Sequence, residues 1–507
     1  MRFRQAKVSA GGAVLRPPSS AAPVGMAIAA TVFAAVAAAL IAFVAAQGGF
    51  QWQVLGAGAV GLVTALLAVR ERRLLVLVVM VLGIQVVFHK SFGPLNLEIA
   101  SGAPGLFLTS VDVLLIFLYI AWLLEGTLFL DLEAGLRRPM ILVPVVAPLA
   151  VLPSFLIAQS LDLAVAELFR MTSLLALYLY VGLRLQNRRE IVVLVGALCA
   201  IAFVQAGIAA AQWKTGSTLG LVAIGQGSEL VARIGDSSET PRPSGTIVHP
   251  VFFGALMAEI MLLGLSVALG SRHAVRYVGL GAAGAALIAA LLAQSRAALL
   301  AVAAVGLLLF LWYVWRGRVS GRALLLTLLV AATCAVVFRG YLTDRVLSNI
   351  GTDHFDLEVE SRLQLNQMAL VIIRDAPVIG VGLNNFEIVL PHYDAYGLIF
   401  ADNPVHNLYL LVLAETGIIG LLAMVASCLA LVSGAYRLAR AADPLLASLG
   451  VGALAVYGFF LIEEMTVFSL REEAPQLAFW MISGLVAAGG RIAERDESAP
   501  TPIGVTA

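Results

Sequence analysis

Fourteen apolar runs, most of them long enough to cross a bilayer, divide this chain and leave it little freedom in how to fold. They lie near residues 24–46, 54–69, 74–88, 111–130, 140–158, 165–183, 191–213, 248–269, 277–293, 297–315, 323–338, 406–436, 446–466 and 475–489. A hydrocarbon core of about 30 Å takes roughly 20 helical residues. Inside lipid every backbone amide must be satisfied internally, so each run predicts a helix. Four runs are short, at 54–69, 74–88, 277–293 and 475–489, which gives about 12–14 transmembrane helices. Apolar residues make up 61% of the 507 and charged residues 12%, which excludes a soluble domain. The expectation is an all-α polytopic integral membrane protein. The first run exceeds a signal-peptide core and another follows at once, so it reads as a retained helix.

The charges orient the chain. With the N-terminus inside, alternate turns carry Arg70, Arg72 and Arg73; Arg137 and Arg138; Arg184, Arg188 and Arg189; Arg272 and Arg276; Arg316, Arg318 and Arg322; Arg437 and Arg440; and Arg491 and Arg495. Together with Arg2, Arg4, Lys7 and Arg16, these place 21 of the 32 Lys and Arg on one side, which the positive-inside rule makes cytoplasmic. The organisation that follows is a basic cytoplasmic tail at 1–23, N-terminal transmembrane helices over 24–338, a large extracytoplasmic loop at 339–405, C-terminal transmembrane helices over 406–489 and a cytoplasmic tail at 490–507. A formal net charge of +1 gives no footprint for nucleic acid. Cys199, Cys334 and Cys428 lie far apart inside apolar runs, suggesting neither a disulfide framework nor a metal site.

Against that orientation the arginines on the outer face call for a reason. Arg242 stands in Pro241-Arg242-Pro243-Ser244-Gly245-Thr246, just before a span. Arg296 lies in the hinge Gln294-Ser295-Arg296, too short to hold it far from lipid. Arg362 and Arg374 flank a helix-periodic stretch whose Leu363, Leu365, Met368, Val371 and Ile372 are expected on the bilayer surface. Ionisable groups at membrane depth are costly and tend to be functional. Guanidinium groups match phosphate oxygens bidentately, so a convergent set suits a diphosphate. His406, in Asn403-Pro404-Val405-His406-Asn407-Leu408-Tyr409, sits where the large loop meets an apolar run. A neutral imidazole there is placed to take a proton from an acceptor hydroxyl. No Asp-x-Asp element occurs in an outer loop, so no metal ligand set is expected.

Each assignment has a plainer competitor. Arg242, Arg296 and Arg374 could simply snorkel to the interface, and His406 could be a helix-capping residue. His89, His249 and His392 occupy similar loop edges without such a context and read as ordinary. Gly380-Val381-Gly382 after Pro377 reads as a turn rather than a phosphate loop.

The ordered set resembles the bacterial O-antigen ligase and polymerase superfamily. Its elements are Arg242 with Ser244-Gly245-Thr246, then Ser295-Arg296-Ala297, then Arg362, then Asp375-Ala376-Pro377-Val378-Ile379-Gly380-Val381-Gly382-Leu383-Asn384-Asn385-Phe386, and finally His406-Asn407-Leu408-Tyr409 with Ala414-Glu415-Thr416-Gly417-Ile418-Ile419-Gly420. The resemblance covers roughly 242–422. It implies a C-type membrane glycosyltransferase in the bacterial inner membrane, working on the periplasmic or outer face with neither metal nor cofactor. The donor it implies is an undecaprenyl diphosphate-linked glycan. The acceptor is a lipid A core sugar for a ligase or a lipid-linked repeat unit for a polymerase. By position, His406 matches the catalytic base, Arg296 and Arg242 the diphosphate-binding arginines, and Arg362 the arginine of the loop. Fourteen spans exceed the usual dozen of such ligases.

A different class remains open at this stage, a transporter or flippase of lipid-linked oligosaccharide. Asp112, Glu259 and Glu463-Glu464 are the charges within spans that it would use. The two halves show no repeat and the suspected functional residues gather on one face, which favours the enzyme.

Overall fold

The computed structural model describes residues 71–86, 89–92, 102–224, 226, 242–272, 274–319, 353–394 and 404–498. The runs at 24–46, 54–69 and 323–338 and the tail at 1–23 lie outside the described residues. From Arg73 onward the chain forms one compact unit. Its helices are α1 (Arg72–Gly83), α2 (Ser110–Leu124), α3 (Leu128–Leu136), α4 (Pro139–Val146, continued as a 3-10 helix Ala147–Leu156), α5 (Leu161–Arg184), α6 (Arg188–Thr215), α7 (Pro250–Gly270), α8 (Val275–Ala293), α9 (Arg296–Trp315), α10 (Asp353–Asp375), α11 (Phe386–Tyr393), α12 (Leu408–Leu438), α13 (Pro444–Glu463) and α14 (Glu473–Ser498). One antiparallel ribbon, β1 (His89–Phe92) with β2 (Leu106–Thr109), is the exception to an all-α architecture among the described residues. Nine helical segments among the described residues are long and apolar enough to span a bilayer, and α2 with α3, bent by 102°, makes a tenth. Every predicted run within the described residues falls on helix. The runs at 277–293 and 475–489 extend to 19 and 26 residues as α8 and α14, while the one at 74–88 gives only the 12 residues of α1.

Most spans begin on a residue that satisfies their first amides. Ser160, Asn187, His249, Ser295, Asn407 and Asp443 each accept a backbone N–H of the following turn, and Pro250 and Pro444 open α7 and α13 with a fixed φ. Helix α7 is the central post, buried along most of its length against α8, α9, α13 and α14. It meets α8 closely because Gly264 and Gly279 face each other. A Cβ on Gly279 would stand 2.6 Å from the Gly264 carbonyl oxygen, so only small residues permit this approach.

Helix α12 is broken. Gly417 has φ 65° and ψ −168°, and the chain resumes helix at once. The backbone groups freed by the break are taken up by the stretch 377–382. Val381 N–H donates to the Ala414 carbonyl and Gly382 N–H to that of Glu415, both at 2.9 Å, and Ile418 N–H donates to the Pro377 carbonyl at 2.9 Å. Two peptide strands therefore interlock at the break. A Cβ on Gly380 would meet the Glu415 backbone at 2.3 Å, and one on Gly417 would meet the Val378 carbonyl at 2.2 Å. Sequence reasoning reads Pro377 to Gly382 as a turn; it is the brace of a broken helix. From Ile418 to Leu438 the helix is about 31 Å long at 1.5 Å per residue, sufficient by itself to cross. Leu408 to Thr416 is thus a separate half-helix, with His406 just ahead of its cap.

Helix α10 also corrects an expectation. Leu365, Met368 and Ile372 do not face the bilayer; they are buried with Phe386, Leu408, Leu411 and Phe468 in a second small core. Leu363, Leu370 and Val371 form the exposed face.

Gly417→Ala adds a Cβ at φ 65° and ψ −168°, a region essentially reserved for glycine that costs about 1–3 kcal/mol, before the clash with Val378 is counted. The expected outcome is a folded-state loss of about 2 kcal/mol or more, read as a lowered thermal midpoint of the purified protein. Gly458→Ala in α13, which has no positive φ and meets only Val305 at 3.8 Å, is the comparison.

Candidate functional site

The Arg242 turn is held from one side by glutamines of α6. Gln212 Oε1 accepts the amides of Ser244 at 3.2 Å and Gly245 at 2.9 Å, and its Nε2 donates to the Gly245 carbonyl at 2.8 Å. Gln205 Oε1 accepts the Thr246 amide at 3.1 Å, while Thr246 Oγ1 donates to the Gln85 carbonyl. Gln205 and Gln212 are fully buried, so they are committed to this turn rather than to solvent. Residues 242–246 are thereby presented rigidly at the mouth of α7.

His249 follows as the cap of α7, its Nδ1 accepting the Val251 amide at 3.2 Å. A neutral imidazole accepting at Nδ1 carries its proton on Nε2. Burial, with the charge of Arg242 and the neighbouring His406 imidazole adding to it, pulls the His249 pKa down to about 4. An aromatic chain connects the two histidines. The His249 ring lies 5.3 Å from Phe252, Phe252 lies 5.6 Å from Phe468, and Phe468 packs edge-on against His406 at 5.4 Å.

The other predicted residues converge on the same end. Arg242 Nη2 reaches the Ala293 carbonyl at the end of α8, a long contact of 3.4 Å. Three residues on, Arg296 opens α9, and its cap Ser295 packs against Gly254 of α7, where a Cβ would be 3.1 Å from that of Ser295. Arg362 of α10 donates to the Thr466 carbonyl at 3.1 Å. The adjoining Met465 carbonyl accepts from Asn407 Nδ2 at 3.2 Å, and the Glu464 carbonyl accepts the Leu408 amide at 2.9 Å. Residues 464–466 therefore dock both the arginine of the large loop and the His406 segment. Arg242, His249, Arg296, Arg362 and His406 occupy one end of the bundle. Arg374 lies exposed at the last turn of α10.

Residues 281–425 match the family model described as O-antigen ligase. Over this ligase-like stretch the chain is similar to the O-antigen ligase family. No curated protein matches the chain. The ligase-like stretch takes in Arg296, Arg362, His406 and the interlocked stretches around Gly380 and Gly417, and supports a glycosyltransferase of the O-antigen ligase/polymerase type. Arg242 and His249 stand before the ligase-like stretch in sequence but join it in space.

Below this end lies a buried ionic cluster that sequence reasoning missed. Arg471 donates to Glu415 Oε2 at 3.0 Å and to Asn384 Oδ1 at 3.0 Å, and lies 3.6 Å from Glu167. Arg170 grips Glu167 through two nitrogens, at 2.6 and 3.0 Å, and donates to the Arg471 carbonyl. Asn384 donates to the Ala103 carbonyl at 2.8 Å, while Glu167 accepts the Ala103 amide at 3.1 Å. Glu415 and Asn384 belong to the ordered motifs, which was the available signal. Arg170 and Arg471 carry none. Glu464 sits by the His406 segment with its carboxyl pushed well above the usual range by burial and by the adjacent Glu463. Along α12 runs a cavity of ≈ 230 Å³ with mostly apolar walls that include Val412, Met424, Phe460 and Phe479, and with Tyr409 and Glu464 among its polar residues. Asp112, one of the charges a transporter would use, is spent in a capping box with Thr109.

The depressed His249 pKa fixes a sign. Between its ordinary value of 6.5 and about 4, the unfolded chain binds a proton that the folded chain refuses, so stability falls as pH drops through that window. His249→Asn, which keeps a capping acceptor, is expected to remove that part of the loss. The check is the thermal midpoint of both proteins from pH 7 to pH 4. Parallel curves would refute the burial argument.

Proposed function

We propose that the protein transfers a glycan from an undecaprenyl diphosphate carrier to an acceptor hydroxyl at the extracytoplasmic face of the bacterial inner membrane, as an O-antigen ligase or a surface-polysaccharide polymerase. The observation that carries this reading is the convergence of His406 with three arginine-bearing segments at one end of the bundle, beside an apolar cavity within the membrane helices. The acceptor oxygen attacks the anomeric carbon, and the bond from that carbon to the phosphate oxygen breaks with its electron pair leaving on the diphosphate. Arg242, Arg296 and Arg362 bind that diphosphate and offset the charge it gains, a role that fixed cations fill well because they need not reorganise. His406 takes the acceptor's proton. His249, held neutral, offers a further N–H without adding a charge. The cavity along α12 gives the first isoprene units a place beside Tyr409.

A break in a membrane helix is also a feature of transporters, whose half-helix ends bind substrate. Here Pro377, Val381 and Gly382 take up the Ile418 amide and the Ala414 and Glu415 carbonyls at the break, so those groups are not offered to a ligand. That favours the enzyme.

The deciding experiment is reconstitution with a polyprenyl diphosphate glycan and two acceptors, a lipid A core and a second lipid-linked unit. Transfer to the first alone assigns a ligase and to the second alone a polymerase; transfer to neither, with the carrier moved across the bilayer instead, sinks the enzyme. His406→Ala is expected to lower turnover about 10²–10⁴-fold, the range for losing a general base, with unchanged membrane insertion. Arg296→Lys is expected to impair transfer as well, since a point charge does not replace a bidentate fork; wild-type turnover in that variant would return Arg296 to interfacial snorkelling.

A further inference from the structure

At the end of the bundle away from His406, several arginine-bearing turns are neutralised by carboxylates. Arg73 pairs with Glu190, Arg138 with Glu494 at 2.8 Å, Arg184 with Glu125, and Arg188 with Asp443 at 3.0 Å. Other arginines at this end have no ion pair among the described residues, and three of them gather in one place. The last turns of α7, α9 and α12 and the first turns of α13 enclose a cavity of ≈ 420 Å³ lined by Arg316, Arg318 and Arg440. None of these three makes an ion pair with any described residue. Asp443, which precedes the wall formed by Pro444 and Ala447, has its carboxylate occupied. It caps the Leu445 and Leu446 amides at 2.9 Å and pairs with Arg188. Three guanidinium groups thus border a cavity that no Asp or Glu among the described residues lines.

The flanking surfaces say what kind of anion fits. On α9, Leu300, Leu307, Leu308, Leu311 and Trp315 are exposed in one helical stripe that ends at Arg316. On α12, Leu422, Val425, Leu429 and Tyr436 form a second exposed stripe ending near Arg440. Each stripe closes on an aromatic ring carrying an arginine: Arg316 stands 5.0 Å over Trp312 and 5.5 Å over Trp315, and Arg440 stands 4.8 Å over Tyr436. Aromatic rings mark the headgroup level of a bilayer, and basic pockets between helices at that level suit anionic headgroups. We propose that this cavity is a specific site for the phosphodiester headgroup of an anionic phospholipid, whose acyl chains run along the stripes of α9 and α12. Arg316 and Arg440 grip the phosphate with rings fixing their planes, and Arg318 closes the rim. The site is separate from glycan transfer and would hold this end of α9, α12 and α13 together.

The test uses the full-length protein, delipidated in neutral detergent and titrated with phosphatidylglycerol, with phosphatidylcholine and with inorganic phosphate. The readouts are the thermal midpoint and lipid retention by native mass spectrometry. Phosphatidylglycerol is expected to raise the wild-type midpoint and to be retained, while phosphatidylcholine and inorganic phosphate do neither. In R316Q/R318Q/R440Q retention is expected to weaken by about fivefold per arginine removed. R137Q, at the same end but outside the cavity, is expected to behave as wild type. Should the triple variant not fold, R318Q alone carries the test, with a weakening of about fivefold. Undiminished retention in the cavity variants, or an equal loss in R137Q, would reduce the site to a diffuse positive surface. Protection by inorganic phosphate as strong as by phosphatidylglycerol would make the ligand a soluble anion and overturn the lipid.

Discussion

One buried guanidinium ties α12 to α5 and to the 376–386 stretch. Arg471 lies between Glu415 of α12 and Glu167 of α5, with Asn384 of the 376–386 stretch on its other nitrogen. Charges taken out of water cost several kcal/mol each, and the attraction between them offsets this only when geometry and further hydrogen bonds are complete. Here they nearly are: Glu167 also accepts from Arg170 and the Ala103 amide, and Arg170 in turn donates to the carbonyl of Arg471. Such an arrangement adds little net stability over an apolar packing. What it adds is registry, because removing one member leaves an uncompensated charge worth about 3–5 kcal/mol. Sliding α12 against α5 would break several of these bonds together. The half-helix that positions His406 is anchored at its far end by Glu415, so the place of the proposed base is set by a salt bridge more than two turns away.

The interlock at Gly380 and Gly417 works in the same direction. A helix broken within a membrane protein normally leaves amides and carbonyls that water or ligand must satisfy. This chain instead brings in a second strand and spends four backbone groups closing the gap, which only glycines allow at that distance. The ionic cluster and the backbone interlock sit at consecutive residues, Glu415 to Gly417 and Gly380 to Asn384. They form one joint, and the loop carrying Arg362 hangs from it through α10. Fixing that joint places a residue of the large loop and a residue of a span on the same short stretch, 464–466.

What could be read beforehand divides along sequence distance. Apolar length is a local property, and every predicted run within the described residues is helical. The capping reading of His406 misses by one residue, since the side chain that accepts the Leu410 amide is that of Asn407. His406, Arg242, Arg296 and Arg362 could be singled out because their order along the chain forms a pattern, and the proposed site is built on them. His249 was dismissed although it follows Arg242 by a few residues, since nothing local reveals that burial and His406 would keep it neutral. Arg170 and Arg471 were invisible for a plainer reason: their contact joins residues 301 positions apart. The large loop was read as polar surface with a helix lying on lipid, yet Leu365, Met368 and Ile372 bury against α12. A periodicity says which face is apolar and not what covers it.

The electrostatics of the two ends follow from one choice, where carboxylates are left ionised. At the arginine-rich end, Glu125, Glu190, Asp443 and Glu494 neutralise their partners, and three of the arginines without an ion pair among the described residues border a cavity. At the His406 end the nearest acids are withdrawn: Glu464 is driven toward its neutral form by burial and by Glu463, and Glu415 is consumed by Arg471. Arg242, for its part, helps keep His249 deprotonated. The proposed site gains from a neutral His249, and burial with Arg242 beside it supplies that condition.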